Sequence, residues 1–348
     1  MSEGWRPDIL GEGFEQLTLP LPPDGASNEP APSRPPHHRH PESAPEPEAP
    51  DLVATLVRSI PSSWQRLTGA WRDVDVLYIH GWSDYFFQTE LADFFTDRGA
   101  HFYALDLRRY GRSLRPGQTP GDVHSLEDYD IEIDAALTEM GQDAVHHRRL
   151  VMIGHSTGGL TVTLWASRNP GRADGIVLNS PWLELQLGAV GRQALAPIVN
   201  ARARIDPLGT QPVVDLGFYT RAQRELGVLP DAPPLWRPPQ GFPTHPRWLA
   251  AVLEGHRRVA AGLDIGAPAL VLLSARSTPP LTWSDEMTES DSVLVVDEIA
   301  RSATRLGESV TIARIDGALH DVFISQPEAR ASAYRSLDVF VRVLLADL

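Results

Sequence analysis

The chain has no cysteine and no lysine among its 348 residues. Without thiols there is no disulfide framework, no thiolate chemistry and no zinc–thiolate centre. Without lysine, every fixed cation is an arginine, which reads as a compositional bias and not as a demand for bidentate anion contacts throughout. Long apolar runs are missing too, since none approaches the ~18 to 20 residues a membrane span needs. The opening stretch MSEGWRPDILGEGFE lacks the basic-then-apolar order of a secretory leader. Positive charge is in short supply, with a formal net charge of -14, which argues against a face that neutralises nucleic-acid phosphates. The expectation is a cytoplasmic protein with no nucleic-acid partner and no integral membrane span. Its length suits one large or two modest domains; its oligomeric state is not legible.

One segment differs from the rest. Residues 22–50, PPDGASNEPAPSRPPHHRHPESAPEPEAP, are dominated by proline with small and charged residues. They bury too little apolar surface to offset ordering entropy, so they read as a disordered or polyproline-like insertion. His37, His38 and His40 fall within it and read as solvated linker residues. EQLTLPL before it and DLVATLVRS after it alternate like strands, which makes the insertion an enlarged hairpin loop.

From residue 74 onward, short apolar runs alternate with longer mixed segments. The runs are VDVLYIHG, HFYALDL, RLVMIGH, GIVLNS, PALVLLS and VTIARID. Strands buried on both faces of a parallel sheet read this way, and the spacers suit crossover helices. QTELADFFTDRGA and the C-terminal EARASAYRSLDVFVRVLLADL read as two of those helices. Between GIVLNS and PALVLLS, residues 182–265 show no strand character but are rich in leucine, tryptophan, proline and arginine. A gap of that length predicts an inserted subdomain.

The chemistry gathers at Gly154-His155-Ser156-Thr157-Gly158, a G-x-S-x-G pattern between the strand RLVMI and the helix-like GLTVTLWASRNP. A tight strand-to-helix turn pushes the central side chain out, and small residues two positions either side let strand and helix approach. Ser156 is the candidate nucleophile, with Gly154 and Gly158 as its packing glycines. A nucleophilic serine needs a base and donors for the oxyanion. His320, in RIDGALHDVFISQP after the last strand, is the candidate base. Asp321 beside it reads as a supporting or solvent-facing residue. HGW at the end of the first parallel strand offers the Trp82 N–H, which with the Thr157 N–H would make the oxyanion hole. His80 reads as a local structural group.

Together, HGW, the element LDLRRYGRS (Asp106, Gly111, Ser113), GHSTGG and the late His320 resemble the α/β-hydrolase superfamily. Within it they resemble the monoacylglycerol lipase, lysophospholipase and serine aminopeptidase-like branch. The resemblance covers residues 74–180 and 266–348. It implies a mostly parallel sheet flanked by helices, with core segments 1–181 and 266–348 and a lid at 182–265. It also implies an aspartate soon after the penultimate strand, and here the chain departs. VLLSARSTPPLTWSDEMTESDSVLVVDEIARSATRLG holds none until Asp285, Asp291 or Asp297. Asp291 is favoured because it stands just before the helix-like VLVVDEIARSATRL. Asp285, Asp297 and Glu184 are the alternatives.

The expected chemistry is cleavage of carboxylic esters through an acyl-enzyme, with no metal and no organic cofactor. Monoacylglycerol, lysophospholipid or small acyl esters are the leading substrates, with lid apolar residues lining an acyl site and touching lipid surfaces transiently. An aminopeptidase would need acidic residues near the site to hold a free amine, for which Asp84 and Glu184 are the candidates. A hydrolase-fold protein that binds without turnover is the third reading.

Overall fold

The computed structural model describes residues 4–24, 51–145, 147–210 and 216–346. Most of the 22–50 insertion, with His37, His38 and His40, lies outside the described residues. On either side of it, β2 (Phe14–Pro20) and β3 (Val53–Ser59) pair antiparallel, from Phe14↔Ser59 to Pro20↔Val53. Leu21 N donates to Leu52 O (2.9 Å), which brings the two flanks together. A short β1 (Arg6–Pro7) lies outside β2.

The apolar runs become β4 (Val74–Ile79), β5 (His101–Asp106), β6 (Arg149–His155), β7 (Gly175–Asn179), β8 (Ala269–Ser274) and β9 (Val310–Ile315). The sheet order is β1-β2-β3-β5-β4-β6-β7-β8-β9, and β4 to β9 pair in parallel. Successive side chains of a strand face opposite sides, and β4 divides its residues accordingly. Leu77 and Ile79 join one apolar cluster, while Val76 and Tyr78 join another on the opposite face. Helices α3 (Asp130–Glu139) and α4 (Thr157–Arg168) cover the first face; α2 (Thr89–Thr96) and α9 (Pro327–Ala346) cover the second. This is the mainly parallel, helix-flanked sheet that the run pattern predicts. The outlying α1 (Ser63–Thr68) is closed by a capping box between Ser62 and Gln65.

Three helices fill the stretch between β7 and β8: α5 (Gly188–Ile205), α6 (Phe218–Glu225) and α7 (Pro246–Ala261). α7 is not set apart from the core. Its Trp248, Val252 and Val259 share the first cluster with Leu160 and Trp165 of α4. A Cβ at Gly255 would come within 3.1 Å of Leu164, so glycine lets the two helices close up there. α5 packs on α7 through Val199 and Leu253. Beyond β8, α8 (Val296–Ala303) returns Ile299 and Ala303 to the same cluster.

Backbone strain marks one edge of the sheet. Among the described residues, the non-glycine positions with positive φ are Ser83, Arg109, Ser156 and Ser180. They follow the carboxyl ends of β4, β5, β6 and β7 in turn. Ligands of open α/β sheets bind at that edge, and strain collects at such sites.

Candidate active site

Ser156 stands between β6 and α4 at φ 53° and ψ -116°, a region that costs an L-residue roughly 1–3 kcal/mol. Three backbone bonds hold it there. Ser156 N donates to Asn179 O (3.0 Å), while its own carbonyl accepts from Trp182 N (2.9 Å) and Leu160 N (3.2 Å). A Cβ at Gly154 would lie 2.6 Å from Gly158 O, and one at Gly158 would collide with the carbonyl oxygens of Ile79 and His80. Gly159 has a similar duty that the sequence reading passed over: a Cβ there would meet Pro181 at 2.6 Å. Its signal was the second glycine of GHSTGG.

His320 is buried, and its Nδ1 faces Asp291 Oδ2 at 2.9 Å. Asp291 is fully buried, and its other oxygen accepts from Val293 N (2.7 Å) and Leu294 N (2.8 Å). The detour that delays this aspartate closes on itself. Ser277 and Asp291 form an isolated parallel bridge, with Thr278 N donating to Asp291 O (2.9 Å) and Asp291 N to Arg276 O (3.1 Å). The other acids lie elsewhere. Asp285 is exposed, Asp297 bonds Arg314 at the surface, and Glu184 is paired with Arg192 at 2.8 Å. His320 Nε2 is buried without a hydrogen-bond partner. The ring of His155, next to Ser156, lies 4.9 Å from the His320 ring. Burial holds the His155 imidazole below its ordinary pKa.

The loop after β4 comes close to Ser156. A Cβ at Gly81 would stand 3.0 Å from Ser156 Cβ, tight enough that the serine side chain would have to shift. Trp82 follows, and no backbone hydrogen bond to Trp82 N or Thr157 N occurs among the described residues. Thr157 opens α4, where the first N–H groups have no helical acceptor. The Trp82 ring packs tilted against Trp248 of α7, with centroids 3.7 Å apart. His80 has a structural place: Nδ1 donates to Gly81 O (2.8 Å) and Nε2 accepts from Leu107 N (3.1 Å). Asp106 braces the loop from behind, taking Phe86 N on one oxygen and Arg112 on the other. Arg112 also pairs with Asp8. Ser113 donates to Asp106 O, and Gly111 takes φ 43° against the Asp106 carboxylate.

The partners of Asp321 and Asp84 were not part of the sequence reading. Asp321 does not face solvent: it is 1% exposed and accepts from Asn179 Nδ2 (2.6 Å) and Gln88 Nε2 (2.9 Å). Asp84 is paired with Arg237, which α6 and α7 flank, at 2.9 Å. Burial raises its pKa, against the pull of that guanidinium. Asn179, a polar side chain closing the apolar run GIVLN, was the one sequence signal of this network.

The family described as serine aminopeptidase, S33, matches residues 73–326, a span that holds Ser156, Asp291 and His320. The chain belongs to that family. Its fold is that of the α/β-hydrolase superfamily. A Rattus norvegicus protein named 1-acylglycerol-3-phosphate O-acyltransferase ABHD5 is 30% identical over 90 residues, 26% of this chain and 24% of that protein. The chain thus matches about a quarter of that curated relative's length. Two solved structures resemble the S33-family chain in fold. The monoacylglycerol lipase of Paleococcus ferrophilus is 20% identical, with a TM-score of 0.59 over 85% of this chain and 98% of that one. A soluble variant of the Saccharomyces cerevisiae monoglyceride lipase is 14% identical, with a TM-score of 0.61 over 88% and 97%. Among the described residues, no helix of this S33-family member is long and apolar enough to cross a membrane.

Proposed function

We propose that the protein is a serine hydrolase that cleaves carboxylic esters by way of an acyl-enzyme. The observation that carries the reading is the buried Asp291–His320 pair, whose imidazole lies 4.9 Å from that of His155, the residue before a serine held on a strained turn. Asp291 fixes the imidazole with its proton on Nδ1, which leaves Nε2 to accept a proton. Ser156 Oγ attacks the ester carbonyl carbon as its proton passes to Nε2. The oxyanion is met by the N–H groups of Trp82 and Thr157. Collapse expels the alcohol, which takes that proton. Water, deprotonated by the same nitrogen, then releases the acid and frees Ser156. Residues 182–265 form the cap over this site.

Esters are favoured over peptides by the state of two acids. A free substrate amine needs an unengaged carboxylate, yet Asp84 and Glu184 are each paired with an arginine. Monoacylglycerol-like, lysophospholipid-like and small acyl esters fit best, since Trp82, Trp182 and Trp248 gather near the nucleophile. Exposed Leu187 at the start of α5, with Val190, Ile198 and Ile205 on that helix, which has no acidic residue, support transient contact of the cap with lipid surfaces.

The test is labelling by a fluorophosphonate probe together with p-nitrophenyl ester turnover. The wild-type chain labels and turns over; Ser156→Ala does neither. Turnover that survives in that variant overturns the assignment.

A further inference from the structure

The detour between β8 and Asp291 does more than the placement of the acid requires. Its root is closed by the Ser277–Asp291 bridge and by Ser290 Oγ donating to Thr278 Oγ1 (2.7 Å). That root alone would return Asp291 to the strand end. Residues 279–290 nevertheless form an arm that reaches α6. The guanidinium of Arg221 lies 3.9 Å over the ring of Trp283, and Phe218 meets the same ring at 6.1 Å. Arg221 and Phe218 are three positions apart, so they share one side of α6. Other positions of α6 face the hydrolase core. Ala222 and Gln223 are fully buried there, and Gln223 accepts from Arg237 (2.7 Å). Tyr219 Oη accepts from Asp321 N (3.2 Å), and its ring meets His320 edge-on at 5.5 Å.

We propose that Tyr219 is a positioning residue of His320, carried to the imidazole by α6 and held there by Trp283 at the tip of the 279–290 arm. The inference rests on the role given to Ser156 and His320 above. Asp291 grips one edge of the imidazole but leaves the ring free to tilt about that bond. His155 lies against the ring at 4.9 Å, and Tyr219 provides a second wall. Proton transfer requires a fixed geometry, and small displacements of the base are expensive in rate. Seating of α6 is then part of the catalytic arrangement, and the arm sets that seating.

The experiment measures kcat and KM on p-nitrophenyl acetate, and fluorophosphonate labelling rates, for Trp283→Ala, Trp283→Phe, Tyr219→Phe, Tyr219→Ala and the double alanine variant. Trp283→Ala and Tyr219→Ala each lower kcat about ten- to a hundredfold with little change in KM. Trp283→Phe and Tyr219→Phe, which keep a ring, recover most of it. The double variant is no slower than Tyr219→Ala alone, because Trp283 acts through Tyr219. Trp283 is only partly buried, so its truncation keeps the test decisive should Tyr219→Ala fail to fold. Wild-type kcat in Trp283→Ala, or a double variant showing the product of the two single losses, overturns the proposal. A wild-type protein that neither labels nor turns over sinks the hydrolase assignment instead, which keeps the two failures apart.

Discussion

Asp291 pairs with Ser277, the third residue after β8, in an isolated parallel bridge. One register contact therefore moves a late aspartate back to the strand end, within 2.9 Å of His320.

The first prediction separates the four acids. Asp291→Asn leaves a partner that no longer fixes the imidazole tautomer, and kcat falls by about 10⁴. Asp285→Asn and Asp297→Asn, both at the surface, keep wild-type turnover. Glu184→Gln removes one half of a buried ion pair and lowers stability by about 3–5 kcal/mol, seen in denaturant unfolding, with kcat affected far less than by Asp291→Asn.

Two glycines are expected to fail in different ways. Gly158→Ala drives a methyl group into the carbonyls of Ile79 and His80, where neither backbone can yield. Overpacking of this kind costs roughly 1–3 kcal/mol or more, and thermal unfolding reports it. Gly81→Ala meets the Ser156 and His155 side chains at 3.0 and 3.2 Å, and the His155 carbonyl oxygen only at the ordinary contact distance of 3.4 Å. Its melting temperature stays close to wild type while labelling of Ser156 slows.

Arg112 supports the loop that carries Trp82, through Asp106 and Asp8. Arg112→Met strands two buried carboxylates, at a cost of about 3–5 kcal/mol. Adding Asp106→Asn and Asp8→Asn recovers part of that loss. Equilibrium unfolding of the single and triple variants checks both statements.

A pH prediction concerns the opposite end of the strands, where Asp75 and His101 lie together with Arg148 and Gln142. Burial raises the Asp75 pKa to about 6 and lowers that of His101 to about 4. The folded state thus binds the Asp75 proton more tightly than the unfolded chain. Stability from this group rises as pH falls from about 6 toward the ordinary carboxylate range. His101 acts in the opposite sense: its contribution is intact above the ordinary histidine pKa and is lost as pH falls toward 4. The two slopes oppose one another in the wild type. Asp75→Asn removes the first, so the variant gains stability at pH 7.5 and loses it more steeply on acidification. Unfolding curves at pH 7.5, 6 and 5 check the sign.

The elbow, its glycines and the parallel sheet were legible because each rests on neighbours in sequence. Gly154 and Gly158 flank Ser156, and the apolar runs identify buried strands without reference to their partners. Asp291 was singled out by the helix behind it, but the Ser277 contact that returns it to the strand end has no local pattern. The Asp84–Arg237 pair spans 153 residues, and the Gln88–Asp321 contact spans 233. Only the folded chain could show that those carboxylates are engaged. Glu132 makes the same point from within a helix. It is fully buried, yet a charged residue in DIEIDAALTE reads as surface until Arg108 is found closing on it. The packing of α7 on α4 was not legible, because an apolar stripe does not reveal which surface covers it.

The all-arginine composition has a consequence at high pH. Ion pairs inside this protein use Arg108, Arg112 and Arg237, whose protons their carboxylate partners hold more tightly still, whereas a lysine begins to lose its own near 10.4. Tyr78, Tyr110 and Tyr219 are pushed well above the usual phenol range by burial. Among the described residues the interior therefore has almost nothing that titrates between neutrality and strong base, and alkaline unfolding begins at the surface with the core still closed.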